Sequence, residues 1–196
     1  VAGDVLAGKH QINPDVLAEL GRHAPAAPGR YKLVANLPYQ VATPLLMELL
    51  YVQPRFGRLT CTIQKEVGER LSAAPDTEAY GPISVIAATL ADVRLVATFP
   101  PTAFWPRPKV ESVLVDIKPS SDPPIAAREI PAFVEFVRGS FLHRRKTIKN
   151  VLQTLIGRTA ASAVLAGADI NPQTRPEALG PPAWRNLFER FRAASP

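Results

Sequence analysis

Apolar positions in this chain fall into short runs separated by polar and Pro-rich breaks, and the character of each run predicts an element. Residues 31–35, 59–63, 93–99 and 110–117 are short and rich in β-branched or aromatic side chains, so they read as strands. The first of them is expected to be buried. Residues 15–20, 66–71 and 82–91 read as helices, as does 45–51, with Thr43 as its N-cap and Pro44 as its first helical position. The opening 1–6 reads as a strand end and turn, and 24–29 as a Pro/Gly loop. Strands that alternate with helices and close on two strands joined by the Pro-rich loop 100–108 predict an α/β class. The sheet should be mostly parallel with an antiparallel final strand. Beyond a linker at 119–124 the pattern is helical, at 131–142, 147–156, 160–165 and 182–191. The expected organisation is a sheet domain over 1–118 and an all-α domain over 125–196.

Composition narrows the class. With 196 residues, 46% of them apolar, the chain can bury a sizeable core. No apolar run approaches the roughly 18 residues of a membrane span, and no leader pattern opens the sequence. The single Cys61 excludes an internal disulfide, and within Leu59-Thr60-Cys61-Thr62-Ile63 it reads as a buried strand thiol. His10, His23 and His143 have no metal-ligand spacing, so no metal is expected. These features describe a cytoplasmic protein without a membrane partner. The net charge of +6 is unevenly placed. Residues 136–168 contain no Asp or Glu but hold Arg138, Arg144, Arg145, Lys146, Lys149 and Arg158, which equal the whole excess. A basic segment on a neutral body predicts a polyanion docking there, and a solvated helix face is the plainer alternative.

The candidate chemistry is concentrated in Asn36-Leu37-Pro38-Tyr39, at the end of the first apolar strand. Asn36 offers a side-chain carbonyl and Leu37 a main-chain one, Pro38 stiffens the turn, and Tyr39 presents a ring face. Two acceptors beside an aromatic wall suit the exocyclic amine of a flipped-out base. Drawing both N–H bonds toward acceptors would pyramidalise the nitrogen and aim its lone pair at an incoming methyl group. The same tetrapeptide also serves as an ordinary turn. Downstream, Glu66 and Arg70 have the i,i+4 spacing of a helical ion pair.

Further phrases follow in order: Gln64-Lys65-Glu66-Val67, Tyr80-Gly81, Pro100-Pro101-Thr102-Ala103-Phe104, Pro108-Lys109-Val110-Glu111-Ser112, Arg144-Arg145-Lys146-Thr147 and Arg175-Pro176-Glu177, with Gly3-Asp4 ahead of them. As an ordered set spanning essentially the whole chain, they resemble the ribosomal RNA adenine N6-dimethyltransferases. The likeness is closest to the bacterial branch acting on small-subunit (16S) rRNA. The resemblance implies a class I (Rossmann-like) methyltransferase sheet followed by a small all-α domain, with S-adenosylmethionine as methyl donor. It implies that Asn36 and the Leu37 carbonyl orient the target amine, with Pro38 shaping the turn and Tyr39 against the base. Phe104 would close on the target from the Pro-rich loop, and Trp105 is expected to anchor that loop in the core. Asp4 would bind the cofactor's adenine amino group, with Asn36 also beside the cofactor. Arg138, Arg144, Arg145, Lys146 and Lys149 would contact rRNA of the small subunit, with the protein acting as a monomer. The Gly-rich loop and first strands of that sheet have no counterpart here, so the sequence is expected to be an N-terminally truncated copy, inactive alone. Two alternatives remain: a large-subunit rRNA dimethyltransferase conferring antibiotic resistance, and a non-catalytic RNA-binding assembly or transcription factor of the same fold.

Overall fold

The structure, a computed structural model, describes residues 2–8, 11–23, 31–51 and 56–194. The loop expected at 24–29 lies outside the described residues. The chain forms two compact units, Val1–Ser72 with Leu90–Pro123 and Ala73–Thr89 with Pro124–Pro196.

In the first unit, β1 (Leu6–Gly8) and β2 (Gln11–Ile12) make a small antiparallel pair, followed by α1 (Pro14–Arg22). Asn13 caps α1 by accepting from Asp15 N, and Pro14 occupies its first turn, where a missing N–H costs nothing. The main sheet contains β3 (Tyr31–Asn36), β4 (Phe56–Gln64), β5 (Ala91–Phe99) and β6 (Ser112–Pro119), in the order β3-β4-β6-β5. β3 and β4 are parallel, and β6 is antiparallel to both β4 and β5, so the final strand is the reversed one, as the sequence predicts. The ladder starts at Gln64↔Ser112, which leaves Val110 in the loop rather than in the strand.

Side chains alternate across this sheet. Leu59, Cys61 and Ile63 of β4 and Val113, Val115 and Ile117 of β6 are all buried on one face. Helix α3 (Lys65–Leu71) lies against that face through Gly68, where a Cβ would meet Val113 Cγ1 at 2.5 Å. The other face is polar: Arg58 donates to both Asp116 carboxylate oxygens at 2.7 and 2.8 Å, and Thr60 Oγ1 donates to Asp116 Oδ1. The expectation of a buried β3 is therefore half right. Among the described residues the strand ends the sheet order, and its side chains alternate, with Val34 81% exposed on the polar face.

Helix α2 (Tyr39–Tyr51) starts five residues before Pro44, so Thr43 and Pro44 are interior positions and not its cap and first residue. The Pro38 carbonyl accepts from both Val41 N and Ala42 N at 3.1 Å, which starts the helix directly after the Asn-Leu-Pro turn. Pro44 then costs one i→i−4 bond near the helix start.

The second unit is helical: α4 (Pro82–Leu90, up to Thr89), α5 (Ile130–Phe141), α6 (Ile148–Ile156), α7 (Arg158–Ala168) and α8 (Pro181–Ala194). Thr147 caps α6 by accepting from Asn150 N. Gly157, at φ 80°, turns the chain into α7 with a conformation that favours glycine. An aromatic cluster fills the interior. Phe136 packs on Trp184, Phe188 and Phe191 with ring centroids 4.5–6.0 Å apart, and Phe141 stacks on Trp184. Tyr80 is buried there and donates its hydroxyl to the Leu179 carbonyl at 2.7 Å.

Candidate base-binding cleft

The end of β3 and the loop before β6 enclose an open cleft of about 310 Å³. Asn36 through Tyr39 line it from one segment, and Phe104, Pro106, Pro108 and Ser112 from the other, with Trp105 at its border. The parallel register sets Asn36 opposite Thr62, whose hydroxyl donates to Asn36 Oδ1 at 2.5 Å. That bond fixes the amide plane and leaves Oδ1 one further acceptor site. Leu37 N donates to the Thr62 carbonyl at 3.1 Å, and the Leu37 side chain is buried, so the corner is tied to β4 from both residues. Because the first amides of α2 go to Pro38, the Leu37 carbonyl stays out of the helical ladder. The Tyr39 hydroxyl is hydrogen-bonded to Ser112 Oγ at 3.0 Å, which anchors the ring to the start of β6. Asn36 is exposed to this cleft and not sealed in the core.

Phe104 packs edge-on against Phe99 with ring centroids 6.3 Å apart and lines the same cleft as Tyr39. Trp105 corrects an expectation: it is 96% exposed and does not anchor the loop. Phe104 is extended at φ −126°, ψ 151°, so consecutive side chains point to opposite sides. Phe104 takes the inward side and Trp105 the outward one. Among the described lining residues there is no carboxylate or imidazole, so the cleft is neutral, a setting suited to an uncharged amine.

Asp4 lies outside the cleft lining. Its Oδ1 accepts from Leu6 N at 3.1 Å and its carbonyl accepts from Asn13 Nδ2 at 3.0 Å, so it also closes the turn before β1. Of the two residues expected beside an S-adenosylmethionine donor, Asn36 lines the cleft and Asp4 does not. Asp4 offers one carboxylate already engaged by a turn amide. Beside the cleft, Glu66 and Arg70 pair at 2.6 Å as their spacing predicts, and Lys65 pairs with Glu111 at 2.7 Å. The first pair lies within α3; the second, with Lys65 N donating to the Glu111 carbonyl at 3.0 Å, holds the start of α3 to the residue preceding β6, a structural task.

The basic segment is less uniform in space than in sequence. Arg144 is ion-paired with Glu177 and donates to the Glu78 carbonyl at 3.4 Å, and Arg138 lies 3.8 Å from Glu135. Lys149 lines a groove that also holds Asp169. Arg145 and Lys146 are exposed on the turn before α6 and have no acidic partner among the described residues. Sequence reasoning missed Thr62 and Ser112, the two hydroxyls that orient Asn36 and Tyr39. Only the strand register brings them to the site.

A mixed sheet with one reversed strand, helices against it and a neutral base-sized cleft at a strand end defines a class I methyltransferase-type α/β fold, and the second unit, Ala73–Thr89 with Pro124–Pro196, is helical. The fold matches a dimethyladenosine transferase from Plasmodium falciparum at a TM-score of 0.73 and 18% identity, over 94% of this chain and 81% of that one. It also matches the 23S rRNA methyltransferase ErmE at a TM-score of 0.61 and 20% identity, over 93% and 80%. The model of the ribosomal RNA adenine dimethylase family matches residues 17–192, and the chain belongs to that family. Among its relatives, the ribosomal RNA small subunit methyltransferase A of Levilactobacillus brevis is 42% identical over 153 residues, 76% of this chain and 52% of the relative. Its namesake from Moorella thermoacetica is 38% identical over 181 residues, 92% and 62%. The chain thus spans between half and two thirds of the length of these curated relatives.

Proposed function

We propose that this chain carries the target-base cleft and RNA-docking helices of an enzyme that dimethylates the N6 amines of adjacent adenines in small-subunit (16S) rRNA. The observation that carries this reading is the cleft-facing Asn36, its Oδ1 held by Thr62, with Phe104 lining the same cleft. An adenine turned out of its stack enters between Tyr39 and Phe104. Asn36 Oδ1 and the Leu37 carbonyl accept its two amine hydrogens, and the lone pair then points out of the ring plane. Asp4 and Asn36 are the residues here that would hold S-adenosylmethionine, which when bound would supply an electrophilic methyl carbon, its sulfonium sulfur keeping the electron pair of the carbon–sulfur bond as the nitrogen–carbon bond formed. The surplus amine proton leaves to water through the open cleft. The monomethylated amine retains one hydrogen, so one of the two acceptors is enough to orient it for the second round. Catalysis is mostly orientation and proximity. Arg145 and Lys146 position the rRNA, with Arg144, Lys149 and Arg138 on the same segment; the protein works as a cytoplasmic monomer. Among the described residues, no helix is long and apolar enough to cross a membrane.

The test is transfer of tritiated methyl groups to under-methylated small subunits by the gene product carrying this sequence. Asn36→Ala is expected to slow transfer by about 10²–10³, the cost of losing one preorganised polar contact. Undiminished transfer would refute the role of Asn36. Label found only in the large subunit would favour the resistance-type reading, and tight rRNA binding without transfer would favour a non-catalytic factor.

A further inference from the structure

Trp105 is the most exposed large apolar side chain among the described residues, at 96%, while the chain's other tryptophan, Trp184, is fully buried. An indole has a large area to gain by being covered, and here it is held away from the core. The loop holds it there firmly. Pro100, Pro101, Pro106 and Pro108 each fix φ, and Ala103 N and Phe104 N donate to the Pro100 and Pro101 carbonyls at 3.0 and 3.3 Å. Trp105 also borders the cleft that Asn36 and Tyr39 line, one residue from Phe104 and on the opposite side of an extended backbone.

Charge singles out the occupant. Residues 99–110 contain no acid, and Arg107 and Lys109 alternate with prolines directly after Trp105. Lys109 lines a separate groove with Lys65, Glu66, Glu69 and Glu111, where the acids outnumber the lysines. Arg107 is exposed and has no acidic partner among the described residues. A rigidly presented aromatic face with a free guanidinium two residues away matches the stacking-plus-phosphate chemistry by which proteins hold single-stranded nucleic acid.

We propose that Trp105 is a stacking platform for the unpaired nucleotide next to the target base, with Arg107 on the phosphate between the two. This deepens the reading of the cleft as a base pocket and rests on it. Phe104 faces the base that is modified and Trp105 its neighbour, so the site reads a single-stranded dinucleotide and not one isolated base.

Two tryptophans, one buried, make the test direct. A short single-stranded RNA containing two adjacent adenines is titrated into the protein while tryptophan emission is followed. The expected result is saturable quenching in the parent protein and none in Trp105→Phe, whose remaining fluorophore is Trp184. Trp105→Ala should weaken binding about tenfold by an independent readout such as anisotropy of labelled RNA, Trp105→Phe should restore most of it, and Arg107→Ala should lower the salt slope by about one. Absence of quenching, or parent-like affinity in Trp105→Ala, overturns the proposal. So does a Trp105→Ala defect seen on intact subunits but not on naked RNA, which would assign the indole to a protein contact. The titration requires no methyl transfer, so its failure is distinct from failure of the Asn36→Ala assay.

Discussion

The Thr62 hydroxyl donates to Asn36 Oδ1 at 2.5 Å across the β3–β4 ladder, which makes Thr62 a positioning residue for the proposed amine acceptor. Thr62→Val keeps shape and strand propensity but removes the donor, freeing the amide to rotate. The expected outcome is a fall of about tenfold in kcat for methyl transfer with little change in KM, and recovery in Thr62→Ser. A merely structural role would instead lower stability without separating the two constants. Asn36, Tyr39 and Phe104 were legible from sequence because each belongs to a contiguous phrase with recognisable chemistry. Thr62 and Ser112 were not, since their place depends on which residues face each other across a ladder. Trp105 was misread for a related reason: the alternation that sends Phe104 inward and Trp105 outward is set by backbone torsions no composition rule reports.

At the scale of elements, the approach of α3 to the sheet depends on Gly68. A Cβ there would stand 2.5 Å from Val113 Cγ1, a branched side chain that is itself buried and has little room to yield. Gly68→Ala gains helix propensity of about 1 kcal/mol but forces the helix off the sheet or Val113 out of its rotamer. The net expectation is a loss of about 1–2 kcal/mol in urea unfolding, where the same substitution at an open helical glycine would stabilise. A gain would show that α3 sits further from β6 than the structure places it. The strands and the longer helices were readable from period and residue type. The start of α2 was not: Thr43-Pro44 has the chemistry of a helix start, yet the Pro38 carbonyl had already captured two amides. The exposed face of β3 was hidden too, because an apolar run does not tell how many of its sides find a partner.

For the molecule as a whole, charge along the chain and charge in space differ. The acid-free stretch 136–168 meets Glu177 at Arg144 and Glu135 at Arg138, so among the described residues the exposed cations left for a polyanion are Arg145, Lys146 and Arg158. Stability depends on a different set of ionisable groups, one in each unit. Burial alone pushes the Cys61 thiol up to about 11 from its usual 9.0. Burial likewise pushes the Tyr80 phenol up to about 12 from 10.0, partly opposed by the neighbouring Trp184. In both cases the fold prefers the protonated, neutral form. The unfolded chain therefore releases its proton first as pH rises, and the stabilisation, complete below the unfolded value, is lost on the way up to the folded one. The sheet unit should weaken between pH 9 and 11 and the helical unit between 10 and 12, each by on the order of 2 kcal/mol. Urea midpoints measured from pH 8 to 12 check this by difference. Cys61→Ala should flatten the curve over the lower interval and Tyr80→Phe over the upper one, although Tyr80→Phe also orphans the Leu179 carbonyl and lowers the whole curve. Curves that keep the parent slope in both variants would mean that water reaches these two groups in the native state.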